Sequence, residues 1–158
     1  MQETTDKLIE LKVIPTTTKT IIILDTNVYM YGPTDVVVFI NGLDKTKNVF
    51  IPSCVLSEIR HKYCDIDTPK KPLSELAHYL EQNIRKNIII GSQSQEMEFI
   101  KCMIHPSNDS IILAYTERLM KEMPQDTEIV LITSDTFMRI RAKGLIGKAK
   151  LSVFEYLK

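Results

Sequence analysis

Four carboxylates occupy positions from which chemistry could be done. Asp25 follows the uninterrupted apolar run of "TIIILDTN", and Asp135 closes "IVLITSD" in the same manner. Glu58 lies in "IPSCVLSEI", one helical turn past a second short apolar run and beside Val55 and Ile59 on the inward-facing stripe. Asp109, in "SNDSIILAY", opens a segment whose apolar body is Ile111, Ile112, Tyr115 and Leu119. Carboxylates gathered in one cleft repel one another, and a divalent cation relieves the conflict. Ligands that are all oxygen select a hard ion, Mg²⁺ or Mn²⁺, over zinc. Each acid also admits a purely structural reading. Asp25 would cap the segment after it, with Thr26 and Asn27 completing a polar turn. Asp109 and Asp135 would be N-caps or first-turn acids, a role worth about 0.3–1 kcal/mol, and Glu58 a surface acid.

The elements that carry these acids weigh between the two readings. Four aliphatic residues without polar alternation, 21–24, form the pattern of a strand buried on both faces of a parallel sheet. Such a strand delivers its next residue to the carboxyl edge of the sheet, where open α/β folds bind ligands. Val36, Phe39, Ile40 and Leu43 then make a helical stripe ending near Gly42. "NVFI" predicts a second strand stopped by Pro52, and "SCVLSEIRHKY" a helix. After the loop "CDIDTPKKP", Leu73, Leu76, Ala77, Leu80 and Ile84 mark the clearest amphipathic helix. "NIII" predicts a third strand, and "SQEMEFIKCM" and "NDSIILAYTERLMKE" two more helices. "TEIVLIT" is a fourth strand, "DTFMRIRAKG" a helix with Gly144 near its end, and "LSVFEY" a last strand. The alternation predicts an α/β fold with a central, mainly parallel sheet and helices on both faces. That topology collects strand ends and the helix starts beside them at one edge, so four unrelated caps would have to meet there by chance.

The bulk composition sets bounds. At 158 residues, 44% hydrophobic and 25% charged, the chain fits one domain, which we assign to 20–158, with 1–19 as an N-terminal arm holding one short element in "KLIELKVI". Twenty basic and twenty acidic residues cancel, so a nucleic-acid partner would have to be met by a local patch. No apolar stretch reaches spanning length, and the start "MQETTDKLIELK" does not look like a signal peptide. With three cysteines, an odd and sparse set, this predicts a cytoplasmic protein without a disulfide framework.

Taken in order, "LDTN", "IPSCVLSEI", "NDSIILA" and "ITSDTFMRIRAKG" resemble the motifs of the PIN domain, a nuclease family with a three-layer α/β sandwich. The resemblance spans about residues 20–156 and carries Asp25, Glu58, Asp109 and Asp135 over as the family's acidic quartet. It implies a Mg²⁺- or Mn²⁺-dependent phosphodiesterase, an endoribonuclease on single-stranded RNA, with all four acids as catalytic and metal-binding residues. On that reading Asp25 is the central ligand and Glu58 a ligand or a water-orienting base. The wording of "IPSCVLSEI" with "SDTFMRIRAKGL" is most similar to PIN domains attached to PhoH-type ATPases, although no GxxxxGK[ST] phosphate loop occurs in the 158 residues.

Substrate would need positive charge. Between Thr136 and Phe154 stand Arg139, Arg141, Lys143, Lys148 and Lys150 without an acid, either a phosphate-binding patch or a solvated helix face. Arg60, His61 and Lys62 are candidates for the opposite rim. Asn27, Asn108 and Ser134 are candidates for phosphate or ligand support, or for turn formation. Three rivals accompany this reading. His61 with Cys64, and Cys102 with His105, have the spacing of a structural zinc site. A catalytically silent module would keep the fold and bind RNA or a protein partner. A flavodoxin-like or receiver-type domain would share the alternation, but Ser134-Asp135 stands where its late lysine should be.

Overall fold

The computed structural model describes residues 14, 15 and 17–157. Its strands are β1 (Thr20–Leu24), β2 (Lys47–Ile51), β3 (Ile88–Ile90), β4 (Glu128–Thr133) and β5 (Lys150–Glu155). They form one sheet in the order β3-β2-β1-β4-β5, and every pairing is parallel. The sheet expected to be mainly parallel is wholly so. Parallel neighbours need crossovers, and seven helices supply them: α1 (Thr26–Tyr31), α2 (Pro33–Asn41), α3 (Ser53–Tyr63), α4 (Lys70–Asn83), α5 (Gln93–Lys101), α6 (Asn108–Glu122) and α7 (Thr136–Lys143). The chain steps one way from β1 to β2 and β3, then returns past β1 to β4 and β5. Right-handed crossovers therefore put the helices of the first two connections on one face and those of the later two on the other.

β1 sits at the centre, which explains its composition. Ile21 and Ile23 on one face of β1 and Ile22 and Leu24 on the other are all buried, because a central strand has helices over both faces. Ile40, Leu76 and Ile112 bring α2, α4 and α6 onto the same core. Tyr115 packs against Phe50 and Phe99, with both ring centroids at 4.9 Å, and so ties α6 to β2 and α5.

Local departures from the sequence expectations have simple causes. α1 was not anticipated, since "DTN" reads as a turn; buried Val28 and Tyr29 hold it as a helix. Leu43 lies beyond the end of α2 and Phe39 is exposed, so the core stripe there reduces to Val36 and Ile40. α4 begins at Lys70, inside the expected loop, with Pro72 in the first turn where its missing N–H is harmless. Ala77 faces solvent, and Ile84 lies past the helix and is exposed. The element expected in "KLIELKVI" falls outside the described residues except for Ile14, which is buried in the common core. Thr18 is buried too and accepts a hydrogen bond from the Asn48 amide.

Candidate functional site

The direction of the chain reverses between β1 and β4, and the crevice outside their carboxyl ends is where open α/β sheets receive ligands. Asp25 and Asp135 stand on its two sides. The Asp25 N–H continues the ladder by donating to the Ile132 carbonyl at 3.0 Å. Its carboxylate is 4% exposed, with Oδ1 accepting from the Thr26 N–H at 2.7 Å and Oδ2 from the Thr133 hydroxyl at 2.9 Å. Asp25 is thus the N-cap of α1 and a buried acid of the crevice at once. Asp135 caps α7, its Oδ1 accepting from the N–H groups of Phe137 at 2.9 Å and Met138 at 3.2 Å. Its own N–H donates to the Thr133 hydroxyl at 3.1 Å, so one threonine links the two aspartates.

Asp109 occupies the first turn of α6 and is not its cap. Ser107 has that role, its hydroxyl accepting from the Ser110 N–H at 3.1 Å. Glu58 projects half-buried from α3 and accepts from the Asn108 side-chain amide, which joins α3 to the start of α6.

Electrostatics shows which of these groups share a field. Asp25 is held above the usual carboxylate range: burial raises it most, the Thr133 and Thr26 bonds partly offset this, and the charges of Glu58 and Asp135 raise it again. Asp109 is also raised, by burial first and then by the charges of Asp25 and Asp135, with Arg141 acting the other way. The fold therefore brings Glu58, Asp109 and Asp135 within electrostatic reach of Asp25, and Asp109 within reach of Asp135. Among the described residues, no three His, Cys, Asp or Glu side chains already form a metal-holding group.

The cations divide in their duties. Arg139 is engaged by the protein, donating to the Thr133 carbonyl at 3.1 Å and the Thr136 hydroxyl at 3.0 Å, and standing 3.5 Å from Glu155. Arg141 reaches the Ser110 hydroxyl at 3.3 Å beside Asp109, while Lys143, Lys148 and Lys150 are exposed. Ser134 is half-buried at the end of β4. Next to the acids, a cleft of about 670 Å³ opens between α1, α3, α5 and α6, and Asn27, Glu58, Asn108, His61 and Lys62 are among the residues that line it. Cys102 and His105 line a different hollow, so the four residues considered for zinc do not converge.

Sequence reasoning missed Glu96. It is 5% exposed and accepts from the N–H groups of Ser53 and Cys54 and from the Tyr115 hydroxyl, each at 2.8 Å. α3 begins at Pro52 with no side-chain cap of its own, so its leading amides take an acceptor from α5. That uncapped start was the one signal that an acid elsewhere had to serve it.

An all-parallel sheet with acids at its switch point defines a class of α/β proteins that handle charged ligands at the carboxyl edge. The PIN domain model matches residues 22–149, and the chain belongs to the PIN domain family, typically metal-dependent nucleases. No curated protein matches it. Among the described residues no helix is long and apolar enough to cross a membrane.

Proposed function

We propose that this PIN domain is a metal-dependent nuclease that hydrolyses phosphodiester bonds in single-stranded RNA as an endoribonuclease. The observation that carries the reading is the gathering of carboxylates at the switch point, where burial first and the neighbouring acids after it hold Asp25 and Asp109 above the usual carboxylate range. A fold with no use for these charges has no reason to keep a nearly buried aspartate among three other acids.

The donor set fits a hard divalent ion. Asp25, Glu58, Asp109 and Asp135 offer only carboxylate oxygen, and Glu58 and Asp109 are half-buried beside the more deeply placed Asp25. Bound there, Mg²⁺ or Mn²⁺ supplies an acidified water and offsets charge on the phosphate oxygens. The chain's own groups do the rest. Thr133 and the Thr26 amide fix the Asp25 carboxylate, and Asn108 fixes Glu58, which orients the attacking water. Arg141 and Lys143 meet the incoming phosphates, with Asn27 and Ser134 nearer the acids. Arg139 holds the end of β4 through the Thr133 carbonyl. Residues 20–158 act as one unit in the cytoplasm, a location that suits three cysteines none of which is in a disulfide. The partners of this reading are RNA and either another protein or a second copy of the chain in a homo-oligomer; the likeness of "IPSCVLSEI" and "SDTFMRIRAKGL" to PhoH-associated PIN domains leaves both an ATPase partner and a stand-alone relative open.

The test is incubation of the purified protein with end-labelled single-stranded RNA and DNA in Mn²⁺, Mg²⁺ or EDTA. RNA is cut internally with either metal and not in EDTA. Asp25→Asn and Asp135→Asn abolish cutting with an unchanged circular dichroism spectrum, both being substitutions that still cap a helix. RNA binding without cleavage under every condition would establish the silent module instead.

A further inference from the structure

The cleft beside the acids is more than a passage to them. Its walls are apolar on one side, with Met30 from α1, Met97 and Ile100 from α5 and Ile111 from α6. Polar side chains also line it, Asn27, Asn108, His61 and Lys62, the last two about one turn along α3 from Glu58. Thr26 also lines it. That residue is 6% exposed and its hydroxyl is buried, while its backbone N–H donates to the capping carboxylate of Asp25.

We propose that this cleft is a nucleobase subsite that takes one unpaired base of the substrate strand, next to the phosphate held at the acids, an assignment that rests on the nuclease reading of those acids. Four features on the molecule select that occupant. At about 670 Å³ the cleft has room for a base with its ribose, within the roughly 300–1,000 Å³ typical of ligand pockets. Thioether side chains make favourable contacts with aromatic rings, so Met30 and Met97 supply the surface that aromatic residues provide in other single-strand binders. The exposed Asn27 amide, donor and acceptor both, can meet the hydrogen-bonding edge of a base. His61 and Lys62 line the same cleft about one helical turn past Glu58 and can meet the adjoining phosphate of the strand, a match of charge that an apolar peptide would not use. Glu58 and Asn108 belong both to this cleft and to the acidic set, so a strand whose phosphate meets the acids lays its adjoining nucleotide over Met30 and Met97. A paired base cannot enter, which restricts the substrate to single strands.

The methionines make the subsite directly observable. Protein labelled with ¹³C at the methionine methyls is titrated in EDTA with a uridine heptamer, and with the same heptamer carrying one central abasic nucleotide. Under the proposal the Met30 and Met97 methyl signals shift several-fold more than those of Met120, Met123 and Met138, which are buried in the core. The abasic heptamer loses most of that selective shift. In Mn²⁺, Met97→Glu raises KM for heptamer cleavage about tenfold with little change in kcat. Equal shifts from both heptamers, or no selective shift at Met30 and Met97, overturn the subsite even if RNA is cleaved. Selective shifts without cleavage in any metal keep the subsite and remove the nuclease reading.

Discussion

Asp25 answers two demands with one side chain. As a cap it satisfies the Thr26 amide, and as a buried acid it carries a charge that its surroundings resist. The raised proton affinity means that the native state holds this proton more tightly than the unfolded chain. Ionisation therefore costs stability, and the cost accrues as pH rises through the carboxylate range. Asp25→Asn keeps the cap and removes the charge, so in EDTA its melting temperature stays level or rises by a few degrees. Asp25→Ala loses the cap as well and falls by about 0.5–2 kcal/mol. Mn²⁺ stabilises the wild type by binding the native state, and Asp25→Asn loses most of that increment. Thermal melts of the three proteins in EDTA and in Mn²⁺ make the comparison; an equal Mn²⁺ shift in wild type and Asp25→Asn would leave Asp25 a cap alone. The position of this acid was legible because an apolar run led straight to it. Its tether to Thr133 was not, since 108 positions separate the two and no local pattern links them.

At the level of elements, strands and amphipathic helices announced themselves by period, and "SCVLSEIRHKY" and "NDSIILAYTERLMKE" form helices with the expected bounds. Short elements did not. α1 has six residues and a polar start, too few for a helical period to emerge. The join between α3 and α5 was equally hidden, because Glu96 reads as one more polar residue of an amphipathic helix and its acceptor duty belongs to a segment more than forty positions away. Glu96→Ala leaves the Ser53 and Cys54 amides without their acceptor, while the Tyr115 hydroxyl keeps the Ser92 carbonyl at 3.1 Å, a loss on the order of 2 kcal/mol. Urea unfolding reads the total, and hydrogen exchange at the two amides reads the location. Unchanged protection at Ser53 and Cys54 would show that the carboxylate does not hold the start of α3. Because Glu58 stands on the same helix, the substitution also lowers cleavage.

The molecule as a whole carries no net charge, so binding of a polyanion depends on where its cations lie. Arg141→Gln and Lys143→Gln together weaken RNA binding and reduce the dependence of log affinity on log salt by about 0.7 per cation removed. Filter binding across a range of salt concentrations measures both quantities; an unchanged slope would make these side chains a solvated face. Composition showed that such a patch was needed and sequence showed where it ran. Only the fold shows that Arg139 is already committed to the end of β4 while Arg141 stands beside Asp109. The order of strands has a further consequence, in time. β1 finds β2 soon after it is made, but its other edge waits for β4, and parallel pairing over such a separation is slow. Until that closure Asp25 has no Thr133 and no Asp135 beside it, and its carboxylate stays in water. A chain still emerging from the ribosome, or halfway through refolding, can pair β1 with β2 and bring Glu58 near Asp25 while Asp135 is still absent. The acidic edge is complete only when β4 docks, late in folding.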